Sequence, residues 1–438
     1  MITVIVGYLT VFLYGATLSW STPEIPKLLN ETTTPLNRPV TIEEASWLSS
    51  IVLPAMVIGA FLFCYLSEKI GRKLALLSTT VPLASGYFIL AFGTSIELYY
   101  IARFIVGLGG GVFILMPMYA GEILEKRRRG AYGSVFGLSI TAGFLFTSFG
   151  PYMSSMVLNL ILAMIALVFG VLFAIFGHEV PYYYLRRNEH DKAKKVLQKI
   201  RGNQDVLEEF NEIEAKCLEK TEDLGQVLRS RGLRRAFIMS LGLQTGLHLS
   251  GINGVIFYSQ IAFEDIKSGM DPIVSTIIVN VVQFLTSFLA PFVGDRFPRK
   301  TNMSVSAIIL CFANISLAAY CYFRDSISSS FAFVPLLAFV VFITVFSSGF
   351  GPLVPVLLSE LFPLRVKSTA MSVTNVYGAV LGFLITKYFF AFVQSFGLSG
   401  YYLFCAAFNV LIAAFIKFYF IETRGKTLEA IEDELNEA

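Results

Sequence analysis

EVPYYYLRRNEHDKAKKVLQKIRGNQDVLEEFNEIEAKCLEKTEDLGQVLRSRGLRR, residues 179–235, is the stretch on which the reading of the whole chain turns. It is the only long region rich in charge, with Arg186, Arg187, Lys192, Lys194, Lys195, Glu208, Glu209, Glu212, Glu214, Lys216 and Arg234. On either side the chain is almost continuously apolar, for a similar length each way. An apolar, charged, apolar order of this kind predicts a membrane protein with a cytoplasmic middle.

Composition supports that reading. Of 438 residues, 55% are hydrophobic, 14% aromatic and only 15% charged, whereas a soluble domain of this size needs a far more charged surface. The mean hydropathy is +0.67. A net charge of +3 says little by its sign; the placement of Lys and Arg matters, because they are retained on the cytoplasmic side. Cys64, Cys217, Cys311, Cys321 and Cys405 are scattered, with no zinc-site or disulfide spacing. The sequence starts inside its first apolar span without a basic leader, which predicts a retained helix and not a cleaved signal.

A spanning helix needs about 20 mostly apolar residues. Twelve such spans are predicted: 2–20, 46–66, 74–93, 97–118, 131–151 and 157–177, then 236–262, 272–293, 302–323, 331–357, 368–394 and 399–421. Alternate connections are basic, with Lys69, Arg72 and Lys73, then Lys126 to Arg129, the charged middle, Arg296, Arg299 and Lys300, Arg365 and Lys367, and Arg424 and Lys426. The other connections carry little: Lys27, Arg38, Lys267 and Arg324. This asymmetry predicts that both termini lie in the cytoplasm. The expected fold class is an all-α membrane protein of twelve transmembrane helices in two pseudo-symmetric six-helix bundles. Residues 1–178 form the first bundle, 179–235 a cytoplasmic helical linker, 236–421 the second bundle and 422–438 a cytoplasmic tail. In the linker, Ala193, Val196, Leu197 and Ile200, then Val206, Phe210, Ile213 and Cys217, recur at one-face intervals, predicting two or three short amphipathic helices. Asn30-Glu31-Thr32 falls in the longest outside loop and is a candidate glycosylation site. Asn302-Met303-Ser304 and Asn314-Ile315-Ser316 fall at the inner face or within lipid, where they should stay unmodified.

The halves echo one another. Glu68-Lys69-Ile70-Gly71-Arg72-Lys73 follows the second span, and Asp295-Arg296-Phe297-Pro298-Arg299-Lys300 follows the eighth with the same order of acid, base and basic pair. Glu122 and Arg129 after the fourth span answer Glu360 and Arg365 after the tenth; Glu179 after the sixth answers Glu422 after the twelfth. Parallel six-helix repeats suit a transporter that rocks about a site near the bilayer midplane. The acids in these sets are more than topology requires, so Glu68, Arg72, Lys73, Glu122, Arg129, Glu179, Asp295, Arg299, Lys300, Glu360 and Arg365 are candidates for an inner gate latched by ion pairs.

The same residues carry a resemblance. Glu68 to Lys73, Arg103-Phe104, Pro117-Met118-Tyr119-Ala120-Gly121-Glu122, Leu249-Ser250-Gly251-Ile252-Asn253 and Glu422-Thr423-Arg424-Gly425-Lys426-Thr427 together resemble the sugar porter family of the major facilitator superfamily. The similarity covers the whole chain. Ile385-Thr386-Lys387 and Gly349-Phe350-Gly351-Pro352 are most similar to the insect facilitated trehalose transporters. The resemblance implies a twelve-helix fold that moves a sugar by alternating access. It also implies substrate-binding roles for Asn253, for the aromatic pair Phe257-Tyr258 and for Gln283. A sugar is a ring of hydroxyls with an apolar face, so amides that both donate and accept, set beside aromatic walls, match its chemistry.

Several positions depart from the family. Its glutamine on the fifth span falls on Gly137, its glutamine pair on the seventh on Leu247 and His248, its tryptophan of the tenth on Pro355, and its Asn-Trp of the eleventh on Val376-Tyr377, with Asn375 one step earlier. Asn375, Tyr377 and His248 complete the candidate substrate site. His248 lies roughly 18 Å along its helix, near the midplane, where an ionisable group is costly and often functional. It is read first as a hydrogen-bonding group for substrate, then as a structural histidine, and last as a proton carrier. Arg103 matches a family arginine that proton-coupled relatives pair with an acid on the first span, but no Asp or Glu occurs between Met1 and Pro23, which predicts uncoupled movement. Lys387 can snorkel to the outer interface and is given no substrate role. Gly109-Gly110-Gly111 lacks the Lys-Ser/Thr of a phosphate loop and reads as close helix packing.

No metal cluster, nucleophile–base pair or nucleic-acid motif is present in the sequence, so no cofactor is expected, and the expected partners are a sugar-like solute and the bilayer. The expected function is facilitative transport of a sugar such as trehalose or a hexose across the plasma membrane. A carrier for another small polar solute such as a polyol, and a non-transporting sensor with the transporter fold, are the alternatives.

Overall fold

The computed structural model describes residues 2–125, 129–202, 206–217, 230–266, 269–290, 296–324, 326, 328–426 and 428–437. The described residues form helices and connections, with no strand among them. Nine helical stretches among them are long and apolar enough to cross a membrane. The last, Thr369–Tyr419, is broken at Gly397 (φ 73°) and so supplies two spans. Pro272–Ser287 is a shorter apolar helix, and Arg231–Leu249 with Ile252–Ile266 makes one further span interrupted in its middle. Together these are the twelve spans expected.

Local chemistry fixes several starts. Ser95, Ser154 and Ser230 cap the fourth, sixth and seventh spans, each accepting from the backbone N–H three residues on. Asp271 caps the eighth span, taking Ile273 N at 2.7 Å, with Pro272 beside it where a missing N–H costs nothing.

By contacts the chain divides into two compact units: residues 1–18, 35–38 and 51–220, and residues 19–34, 39–50 and 221–438. The division does not follow the sequence boundary at 178, because the linker is packed and not free. Its helices Pro181–Leu185, His190–Arg201 and Leu207–Cys217 bury Leu185, Ala193, Leu197, Val206, Phe210 and Ile213 against one another. Arg201 ties them to the first unit by donating to the Ile123 carbonyl at 2.8 Å. In that unit Gly59 and Gly111 face each other, and a methyl on Gly111 would meet the Gly59 carbonyl oxygen at 2.5 Å. The glycine run therefore lets the second and fourth spans approach backbone to backbone.

Each unit closes its charged end with the same device. In the first unit, Glu179 accepts from the backbone N–H groups of Arg72 (2.8 Å) and Lys73 (3.1 Å) at the start of the third span. In the second, Glu422 accepts from those of Arg299 and Lys300 (3.0 Å each) at the start of the ninth. A helix start leaves N–H groups without partners, and a carboxylate both satisfies them and meets the positive end of the helix dipole. Burial pushes the Glu179 carboxyl above its ordinary value, against the pull of those N–H groups and of Arg72. The tail adds an element not expected from the sequence. Its helix Leu428–Glu437 buries Ile431 and Leu435, and Asn436 Oδ1 accepts from Gly232 N at 3.0 Å at the start of the seventh span.

The seventh span breaks at Ser250-Gly251, where Gly251 takes φ 106°, a conformation that excludes most side chains. The carbonyl of Ser250 is met by two amides, Asn314 Nδ2 from the ninth span at 2.9 Å and Asn409 Nδ2 from the twelfth at 3.1 Å. Both side chains are buried. Because either amide alone still satisfies the carbonyl, Asn314→Leu or Asn409→Leu should each cost about 1 kcal/mol, and the double variant distinctly more than their sum. Thermal unfolding of the four detergent-solubilised proteins measures this, and strict additivity would contradict it.

Candidate substrate site

Just past the break, Asn253 is 5% exposed and turns its amide back on the helix, donating to the His248 carbonyl at 3.3 Å and facing His248 Nδ1 at a long 3.4 Å. If Nδ1 accepts there, the imidazole carries its proton on Nε2 and presents a donor. Asn253 Oδ1 is left uncommitted among the described residues. The break thus sets an acceptor and an imidazole edge side by side.

The eighth span contributes Gln283, also 5% exposed, whose side-chain amide has no hydrogen-bond partner among the described residues. An amide that can both donate and accept is what a polyhydroxy ligand requires.

Three polar pairs join the seventh and eleventh spans: Ser240 with Thr374 at 3.2 Å, Gln244 Nε2 with Asn375 Oδ1 at 3.1 Å, and Thr245 with the Tyr377 hydroxyl at 2.9 Å. Asn375 and Tyr377, both half-buried, are therefore held by the seventh span. Gln244 and Thr245 were not singled out from sequence; they lie one helical turn before His248, which is the signal that could have found them.

The aromatic pair separates in role. Phe257 and Tyr258 are both buried, but Tyr258 sits at a second disturbance of the helix (φ −139°, ψ 16°) and donates its hydroxyl to the Thr386 carbonyl at 2.8 Å. Its ring stacks on Phe389 with centroids 4.4 Å apart. Tyr258 is packed into the eleventh span and has no free hydroxyl to offer. On the tenth span, Phe346–Phe350 forms one turn of π-helix before Pro352 and Pro355. Such turns recur at functional sites, and here the two prolines remove the N–H groups that would have continued regular bonding.

In the first unit, Arg103 is buried and donates to the Thr17 carbonyl at 3.0 Å, while Thr17 Oγ1 lies 2.7 Å from the Tyr87 hydroxyl. A backbone oxygen of the first span thus receives the guanidinium. A methyl added to Gly137 would meet no atom within 4 Å, so this departure from the family leaves open space. One carboxylate escaped the sequence reading, which stopped at Pro23. Glu24 is buried in the second unit and ion-paired at 2.8 Å with Lys27, one turn along its own helix.

The inner-gate candidates pair inside their own units. Arg72 Nε meets Glu122 at 3.1 Å and Arg186 meets Glu68 at 3.2 Å in the first, and Arg299 pairs with Glu360 in the second. Lys73 Nζ donates to the Ala174 carbonyl at 3.1 Å. Asp295 lies outside the described residues, as do the side chains of Arg129 and Arg365. Asn30 is exposed, and its Oδ1 accepts from both Thr32 N (2.9 Å) and Thr32 Oγ1 (2.8 Å). Among the described residues no group of three or more His, Cys, Asp or Glu gathers as a metal site would require.

The family model described as Sugar (and other) transporter matches residues 4–435. The facilitated trehalose transporter Tret1 of Apis mellifera ligustica is 32% identical over 434 residues, covering 95% of this chain and 84% of that protein. Its namesake in Polypedilum vanderplanki is 31% identical over 432 residues, covering 96% and 85%. Among solved structures, the xylose transporter XylE from E. coli aligns in an inward open form with TM-score 0.81 at 22% identity, over 98% of both chains. A partially occluded inward open form gives 0.79 at 23%, over 97% of this chain and 99% of that one. At that identity the structural likeness speaks for the fold, and the family match over nearly the whole length speaks for kinship: the chain belongs to the sugar (and other) transporter family, with the twelve-helix architecture of the major facilitator superfamily.

Proposed function

We propose that the protein is a facilitative, uncoupled carrier of a sugar, such as trehalose or a hexose, in the plasma membrane. It works by alternating access and has both termini in the cytoplasm. The observation that carries this reading is the broken seventh span, which holds Asn253 and His248 beside the break, with the uncommitted amide of Gln283 on the next span. Asn253, His248, Gln283, Asn375, Tyr377 and Phe257 form the solute site, and Tyr258 supports it from behind. The acid–base sets around Arg72 and Arg299 brace the inner ends of the helices as the gate. Its site gathers hydrogen-bonding groups, as a carrier of a polyhydroxy solute needs.

Uncoupled movement follows from the first span. It holds no carboxylate before Glu24, and Arg103 is received there by a carbonyl. Uptake of labelled trehalose or hexose into transport-deficient cells should proceed equally with and without a proton gradient, and accumulation driven by the gradient would contradict the proposal. In the same assay Gln283→Leu should raise the half-saturation concentration about fivefold or more, the worth of one hydrogen bond to a polar ligand. Unchanged kinetics would remove Gln283 from the site.

A carrier of another small polar solute is suggested by the altered amide positions at Leu247, His248 and Pro355, and it would take up a polyol in preference to trehalose or a hexose. A sensor that moves nothing is separated from both by counterflow of labelled solute.

Asn30 is proposed as a glycan acceptor, on its exposure and on the turn that presents its amide. Asn30→Gln should abolish the glycosidase-sensitive mobility shift of the protein expressed in insect cells, and a shift that persists would place the glycan elsewhere.

A further inference from the structure

The eleventh span carries an ammonium toward its outer end, Lys387, and its surroundings differ from those of a snorkelling lysine. Lys387 Nζ donates to Ser46 Oγ at 2.8 Å and lies 4.2 Å from the centroid of the Trp47 ring. One turn earlier, Phe383 packs against the same indole with centroids 6.1 Å apart. Ser46 is buried and passes its own proton to the Glu43 carbonyl at 2.8 Å, so its oxygen is free to accept. The Glu43 carboxylate adds attraction for the ammonium. All these partners come from one short helix, Ile42–Ser50.

That helix is the outer end of the second span, and its attachment is peculiar. Residues 39–50 belong to the second unit, while the rest of the span, from Ile51, belongs to the first. The joint lies at Ile51, between Ile42–Ser50 and Val52–Ile70. Pro54 has no N–H to return to the Ser50 carbonyl, so the helix lacks one of its own bonds at the joint. The short segment is thus loosely connected along the chain and firmly held from the side. Next to Lys387, the Thr386 carbonyl is occupied by Tyr258 of the seventh span, which fixes this part of the eleventh span from behind.

We propose that Lys387 is a positioning residue of the transport cycle, a clasp that holds the Ile42–Ser50 segment against the eleventh span at the outer face and must release it whenever solute enters from outside. The inference rests on the orientation given under the proposed function. A contact shifts a conformational equilibrium only by the difference it makes between the two states. Docked, the ammonium has a hydroxyl and an indole face; released, it has water alone. Its removal therefore favours the outwardly open form, and an arginine, which also lies well over an indole, preserves the hold.

The test uses Ser49→Cys, a buried position on the docked segment, in the full-length protein in intact cells. The rate of its reaction with a membrane-impermeant maleimide is compared with the same background carrying Lys387→Met or Lys387→Arg, and the protein without the added cysteine serves as the blank. Lys387→Met should raise the labelling rate about fivefold, and Lys387→Arg should leave it within about twofold of the parent, as expected for the loss and retention of a cation–π contact. An unchanged rate for Lys387→Met, or equal acceleration by both variants, overturns the clasp. Labelling that occurs only from the inside overturns the orientation, and absent sugar uptake by the parent would count against the proposed function while leaving the labelling result interpretable.

Discussion

Within a bilayer a backbone carbonyl that leaves its helix finds no water, so a helix can break only where the protein supplies a replacement donor. The site depends on that constraint. The seventh span stops at Ser250-Gly251 because glycine tolerates the turn, and it persists as a break because Asn314 and Asn409 meet the carbonyl set loose there. Without those amides the span would gain by becoming continuous. Asn253 would then rejoin a regular helix instead of folding its amide back toward His248. Polar groups of the ninth and twelfth spans thus shape the surface proposed to take the solute.

At the charged ends the same accounting is solved twice. Glu179 and Glu422 each receive the first N–H groups of a helix, and each lies near a guanidinium paired with a further acid, Arg72 with Glu122 and Arg299 with Glu360. The pairings Arg72–Glu122 and Arg299–Glu360 each lie inside one unit.

Much of this was legible in the sequence. Apolar length marked the spans, and the spacing shared by Arg72-Lys73 and Arg299-Lys300 marked the repeat. What could not be read were partners set by tertiary contact. Glu179 and Glu422 were recognisable as echoes, but a sequence does not show that a carboxylate will accept from backbone N–H groups more than a hundred residues away. Tyr258 looked like a sugar wall by its place in a motif; its neighbours Phe389 and Thr386, on a span far along the chain, turn it into packing. The tail was read only as cytoplasmic; its acidic sequence does not show that Ile431 and Leu435 are buried beside the start of the seventh span. Lys387 was expected to reach for water, since nothing nearby in sequence announces that an indole and a hydroxyl from the second span await it.

Asn314 begins an Asn-Ile-Ser triplet as well as holding the Ser250 carbonyl. Its side chain is only 1% exposed, so there is no room for an oligosaccharide, and a substituted amide nitrogen could no longer serve the carbonyl in the same way. Native packing and modification at this residue exclude each other. A correctly packed copy is therefore one that carries Asn314 bare, whatever the triplet met on the way to its place.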